Sequence, residues 1–129
     1  MPQMTEMTLA PFTAHLVRLA VWGMLSLAAG LVLRRRRADP FMAQASLHCL
    51  LWGGINAALA VAGWYGEPPS AAFLWVNVGL DVGYVGVGLT LLLMGRHFTS
   101  RGPQGAGVTV AVQGVVLLVF DLVYLAEYA

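Results

Sequence analysis

Four apolar stretches, each about as long as a bilayer-crossing helix, constrain this chain more than any other feature. They cover residues 12–33, 41–65, 71–95 and 107–126. Roughly 20 helical residues, rising ~1.5 Å each, span the ~30 Å of a bilayer's hydrocarbon core. A spanning strand needs only about 9–11 residues but also strict alternation, which none of the four stretches shows. Helices satisfy their own backbone polar groups in hydrocarbon, so they are the expected spanning element. Composition points the same way. The 129 residues are 59% hydrophobic and 10% charged, whereas a soluble domain carries about 25% charge. That is too little polar surface to cover a water-facing core, so lipid is the expected solvent and membrane lipid the first expected partner.

The breaks between the stretches are short and loop-like. Arg34-Arg35-Arg36-Arg37-Ala38-Asp39-Pro40 ends the first, Gly66-Glu67-Pro68-Pro69-Ser70 separates the second and third, and the segment from Arg96 to Pro103 separates the third and fourth. Proline and glycine punctuate all three. Short loops make consecutive helices antiparallel neighbours. The expected fold is therefore all-α: one membrane domain over residues 1–129, a four-transmembrane-helix up-down bundle. Arginine sets the expected sidedness. Arg34 to Arg37, Arg96 and Arg101 occupy the first and third loops, and the second loop has no basic residue. The positive-inside rule puts those two loops in the cytoplasm and both termini on the outer side of a multi-pass cell-membrane protein. Trp64, Tyr65, Trp75, Tyr124 and Tyr128 then form an outer aromatic belt. Charges follow the first apolar run instead of preceding it, so that run reads as a retained helix and not a cleaved signal.

Several function classes are disfavoured. All seven basic residues are arginine and four share one loop, which is a topology signal and not a nucleic-acid footprint. Cys49 is alone, so an internal disulfide and a CxxC redox or zinc pair are excluded; an inert buried thiol is expected there. His15 and His48 fall near opposite edges of the bilayer, unlike a bis-histidine haem site. The Glu-x-x-His motif of di-metal carboxylate bundles is missing, so no metal ligands and no catalytic residues are assigned. The sequence specifies no cofactor.

Polar residues inside the spans carry the functional information, because each is costly in hydrocarbon. Asn77, Asp81 and Tyr84 share a face of the third helix, continued by Gly88. Gln113, Asp121 and Tyr124 share a face of the fourth. Gln44, His48, Trp52 and Asn56 form a drifting stripe on the second, and His15, Arg18, Trp22 and Ser26 one on the first. Four striped helices predict a bundle with a polar interior. Depth along the spans places Arg18, Asn56, Asn77 and Asp121 in an outer cluster, Asp81 near the middle, and His48, Gln113 and Tyr84 toward the inner side. Arg18 is the expected partner of Asp121. Asp81 has two readings: a hydrogen-bonded register lock with Asn77, Tyr84 or Asn56, or a binding group for a proton, cation or ligand. The opposite face of the third helix carries Gly79, Gly83, Gly86 and Thr90. That stripe fits a homodimer seam, or a central helix touching neighbours on both sides.

The segments FMAQASLHCLLWGGINAALAVAGW, FLWVNVGLDVGYVGVGL and VAVQGVVLLVFDLVYLAEY resemble an uncharacterised prokaryotic family of small four-helix integral membrane proteins, a domain of unknown function. Trp52, Asn56, Asn77, Asp81, Tyr84, Gln113 and Asp121 match its pattern; Gly53 and His48 depart from it, at positions where related sequences often have Asn. The resemblance implies a four-helix membrane fold and supplies no activity. Three functions stand open. One is a binding or transport module whose polar cluster (Arg18, His48, Asn56, Asn77, Asp81, Tyr84, Gln113, Asp121) takes a small polar ligand, proton or cation. The second is a structural or accessory subunit docking a larger membrane complex. The third is a lipid-acting enzyme or redox module with Asp81, Asp121 and His48 as acid and base groups.

Overall fold

A computed structural model describes the backbone of residues 2–128 and the side chains of residues 9–127. Tyr128, expected in the aromatic belt, lies outside the described side chains. The chain forms four helices: α1 (Pro2–Arg34), α2 (Pro40–Trp64), α3 (Ala71–His97) and α4 (Arg101–Tyr128). Among the described residues there is no strand. All four helices are long and apolar enough to cross a membrane, over Leu9–Arg34, Pro40–Trp64, Ala71–His97 and Arg101–Glu127.

Helix α1 starts well before residue 12, and α4 starts at Arg101 instead of near Gly107. The Gly-Pro stretch at 102–103 reads as loop, yet a proline suits the first turn of a helix, where its missing N–H has no partner to lose. Gly105 follows on that turn, and its bare Cα lets α4 meet the Phe41 backbone of α2.

Capping fixes the other ends. Asp39 caps α2, its carboxylate accepting from the Phe41 N–H at 3.1 Å, with Pro40 opening the helix. Ser70 caps α3 by accepting from the Phe73 N–H at 3.2 Å. At the end of α3 the Ser100 N–H reaches the Gly95 carbonyl at 2.8 Å, and the Thr99 N–H reaches that of Arg96 at 3.2 Å. This is the Schellman pattern, and Thr99 sits at its left-handed position with φ 51°. A β-branched residue is a poor fit there, whereas glycine pays no Cβ penalty. Thr99→Gly is expected to raise stability by about 1 kcal/mol, read as a rightward shift of the unfolding midpoint in detergent. A fall in stability would show that Thr99 makes a compensating contact.

The helices pack as two hairpins. In the α1–α2 hairpin Gly23 faces Gly53: a Cβ on Gly23 would lie 2.9 Å from the Gly53 carbonyl oxygen, and one on Gly53 would lie 2.8 Å from that of Gly23. In the α3–α4 hairpin Gly88 and Gly107 do the same, each with the partner helix's backbone where its Cβ would be. Helices of a membrane bundle gain from such approach because packing replaces the hydrophobic drive they lack between themselves. The buried face of α3 recurs every seventh residue, at Leu74, Asp81, Gly88 and Gly95, and it lies against α4.

Helix α4 is the central element and touches the other three; every close backbone approach of α3 is to α4 alone. The expectation of a central third helix is thus corrected. The backbones of α2 and α3 stand apart. Outward-facing residues such as Met24, Leu31, Val61, Val76 and Leu93 are about 60% exposed, a surface suited to hydrocarbon and not to water.

Trp64, Tyr65 and Trp75 are exposed near the α2–α3 turn. Tyr124 is corrected: it is fully buried among Phe12, Leu16 and Leu74. Cys49 is half-buried, less enclosed than expected.

The opposite end of the bundle is clasped. Arg101 donates through Nε to Asp39 Oδ1 at 3.0 Å and through Nη2 to Oδ2 at 2.8 Å, and its guanidinium lies 5.5 Å from the Phe41 ring centroid. The two arginine-bearing loops therefore sit together. The Arg101 guanidinium holds the Asp39 carboxyl below its usual range. A depressed folded value means the clasp contributes fully above the unfolded carboxylate range and is lost as pH falls through the folded value. In a carbon-13 titration Asp39 should ionise below ~3.9 in the native protein and near ~3.9 in Arg101→Gln. Identical curves would remove the clasp.

Candidate functional site

Polar side chains from all four helices meet inside the bundle, and Gln113 of α4 is their hub. The Trp22 indole N–H donates to Gln113 Oε1 at 2.7 Å. An indole nitrogen can only donate, so it fixes which end of the amide is the oxygen. Gln113 Nε2 then donates to Ser26 Oγ at 3.0 Å, and Asn56 Nδ2 donates a long bond to the same Oε1 at 3.4 Å. With its amide nitrogen committed to Gln113, Asn56 turns its Oδ1 away, fully buried and without a partner.

The second group centres on the carboxyls. Asp81 and Asp121 lie within hydrogen-bonding reach of each other across the α3–α4 contact. Ionised carboxylates only accept, so a bond between two of them requires a proton on one. His15 Nε2 stands 3.5 Å from Asp121 Oδ1, and the imidazole stacks on Tyr124 with centroids 4.8 Å apart. The second oxygen of Asp81, Oδ2, is buried and unpartnered.

A cavity of about 150 Å³ joins the two groups. Its polar lining is His15, Asn56, Asn77, Asp81, Tyr84 and Asp121. Trp52 and Tyr84 form one wall, ring centroids 4.8 Å apart and edge to face.

Of the residues expected at the site, Asn56, Asn77, Asp81, Tyr84 and Asp121 line this cavity, and Gln113 buttresses it through Asn56. Two are elsewhere. Arg18 does not reach Asp121; it pairs with Glu127 at 2.9 Å on a partly exposed face. The reason is reach: one turn earlier on α1, His15 already occupies the place beside Asp121. His48 is the second. It lines a separate cavity with Gln44, Leu91 and Ala106, because the α2 stripe winds round its helix and only Trp52 and Asn56 face the interior. The inner cluster expected around His48, Gln113 and Tyr84 does not form. Sequence reasoning also passed over His15, Trp22 and Ser26 as site residues, although their spacing already placed them on one α1 face. Asp81 is met by Asp121 where Asn77, Tyr84 or Asn56 was expected.

Among the described residues no three His, Cys, Asp or Glu side chains converge as a metal-ligand set. On the far face of α3, Gly79, Gly83 and Gly86 are open, with nothing within 4 Å of where a Cβ would stand.

A model of a family of unknown function, DUF6992, matches residues 18–122. The chain belongs to that family. The matched region of this DUF6992 member takes in Asn56, Asn77, Asp81, Tyr84, Gln113 and Asp121; His15 and Glu127 lie outside it. Neither the curated proteins nor the solved structures give a significant match to the chain.

Proposed function

We propose that the chain is a multi-pass protein of the cell membrane, with its arginine loops in the cytoplasm and its termini outside, working as a binding or transport module. The exchange group is the Asp81–Asp121 pair, which takes a proton, a small cation or a small polar ligand in the bundle interior. The observation that supports this most is the carboxyl pair itself. A carboxylate at a helix centre costs about 2.5–3.5 kcal/mol to insert, and a pure packing device needs only one hydrogen-bonding partner, not two acidic groups beside a cavity.

A hydrophobic carbodiimide tests the reading, since it modifies protonated carboxyls inside membranes. Peptide mapping of the native protein in liposomes should place the adduct on Asp81 or Asp121, and Asp81→Asn should abolish or relocate it. Absence of any adduct on either aspartate, with Glu67 or Glu127 modified instead, would contradict the proposal.

One observation favours a second reading, a structural or accessory subunit. The open glycine face of α3 leaves room for another helix backbone, from a second copy through Gly79, Gly83 and Gly86 or from a larger complex. Mild-detergent isolation from native membranes separates the cases. A stoichiometric larger partner supports the accessory role; a homodimer broken by Gly83→Leu supports the seam; a monomer removes both.

A further inference from the structure

Three cavity-lining side chains carry a buried atom without a partner: His15 Nδ1, Asn56 Oδ1 and Asp81 Oδ2. Asn56 Oδ1 and Asp81 Oδ2 are both acceptors, both belong to residues at least 95% buried, and neither has a partner among the described residues. Leaving the two oxygens unpaired is expensive, so a guest that donates to both is favoured. The ionisable carboxyls lining the cavity, Asp81 and Asp121, stand together there, so an ammonium guest is the charge that their ionisation would balance. Trp52 and Tyr84 give the same cavity an aromatic wall, and aromatic ring faces attract cations.

Size and access narrow the guest. A cavity of about 150 Å³ is the size that takes a benzene molecule in a protein core, so the guest has about six heavy atoms. Ile55 and Leu59 of α2 and Leu80 of α3 line the same cavity and are about half exposed on the outer surface. They stand where the backbones of α2 and α3 do not approach, so the cavity opens sideways, toward lipid.

We infer that this cavity binds a small organic ammonium ion, a primary or secondary amine of about six heavy atoms that enters from the bilayer between α2 and α3. The ammonium N–H groups donate to Asp81 Oδ2 and Asn56 Oδ1, its charge balances the carboxyl pair, and its hydrocarbon part rests on Trp52 and Tyr84. The inference names the ligand class for the proposed exchange site and rests on that reading.

Cyclopentylamine and cyclopentanol, matched in size, form the test. Saturation-transfer NMR is recorded on the native protein in lipid nanodiscs, with empty nanodiscs as the blank. The amine should bind saturably and about tenfold or more tighter than the alcohol, the value of a charge-assisted hydrogen bond. Asp81→Asn should erase that preference, and Leu59→Trp at the opening should slow amine entry. Equal binding of amine and alcohol, or no saturable amine binding, overturns the inference; neither outcome requires a variant to fold. If the carbodiimide still marks Asp81 or Asp121 while the amine fails to bind, the ligand class is wrong and the exchange site stands. If both fail, the exchange site falls too.

Discussion

Gly107→Val is expected to break the bundle. A Cβ at Gly107 would lie 2.5 Å from the Gly88 carbonyl oxygen and 2.5 Å from the Leu92 amide nitrogen. These are backbone atoms, which no rotamer change moves aside. Overpacking in a well-packed core costs about 1–3 kcal/mol, occasionally more, even where side chains can adjust; here the whole α3–α4 hairpin has to spread, and we expect the upper end of that range or beyond. Because α3 is held closely by α4 alone, a spread hairpin also separates Asp81 from Asp121. Equilibrium unfolding in mixed micelles reads the loss. Gly83→Val on α3, the other helix of the hairpin, is the control, because its Cβ enters open space, and its effect should stay within about 0.5 kcal/mol. Equal losses in the two variants would mean that the hairpin does not cross at Gly88 and Gly107.

Gln113→Leu is the second large effect. Leucine keeps most of the volume but strips partners from the Trp22 indole, the Ser26 hydroxyl and the Asn56 amide at once. Interhelical hydrogen bonds in membranes average about 0.6 kcal/mol and reach about 1.7. Three of them, with two donors (Trp22 and Asn56) and one acceptor (Ser26) left buried, give an expected loss of roughly 2–4 kcal/mol. The variant also frees Asn56 to turn its amide nitrogen into the cavity, so the preference for an ammonium guest should weaken even where the bundle survives. Trp22→Phe removes one hydrogen bond of the three and should cost about a third as much. A Gln113→Leu protein as stable as the native one would show that the hub is not formed in lipid.

Much of this arrangement was legible in the sequence, for an identifiable reason. Hydrocarbon penalises each polar group, so a seven-residue spacing such as Asp81 to Gly88 reports directly which face of α3 is turned inward. The same logic put Asn56, Asn77, Gln113 and Asp121 in the interior. It failed where a face had to be converted into a partner. His15 and Arg18 lie on the same stripe one turn apart, and which of them meets Asp121 depends on the relative sliding of α1 and α4. Sequence spacing on either helix does not contain that quantity. Depth estimates erred for a related reason: Gln113 and His48 fall at similar distances from the inner edge, yet they face different cavities because α2 rotates away below Trp52. Helix order misled as well. Consecutive helices are chain neighbours, but glycine contacts at Gly88, Gly105 and Gly107 make α4 the hub and leave α2 and α3 apart, and the opening between them was invisible to any linear reading. The start of α4 was obscured by Gly102 and Pro103, residues that end helices inside an element but open them at the first turn.

The chain holds only three aspartates, Asp39, Asp81 and Asp121, so one label reaches the centre of the account. Protein carrying carbon-13 at the aspartate side-chain carboxyl is reconstituted in lipid, and through-space carbon correlations are recorded by solid-state NMR. One cross-peak is predicted, joining two of the three carboxyl signals and vanishing in Asp81→Asn, while Asp39, held by Arg101 at the far end, stays uncorrelated. Three isolated signals in a folded protein would contradict the pairing of Asp81 with Asp121.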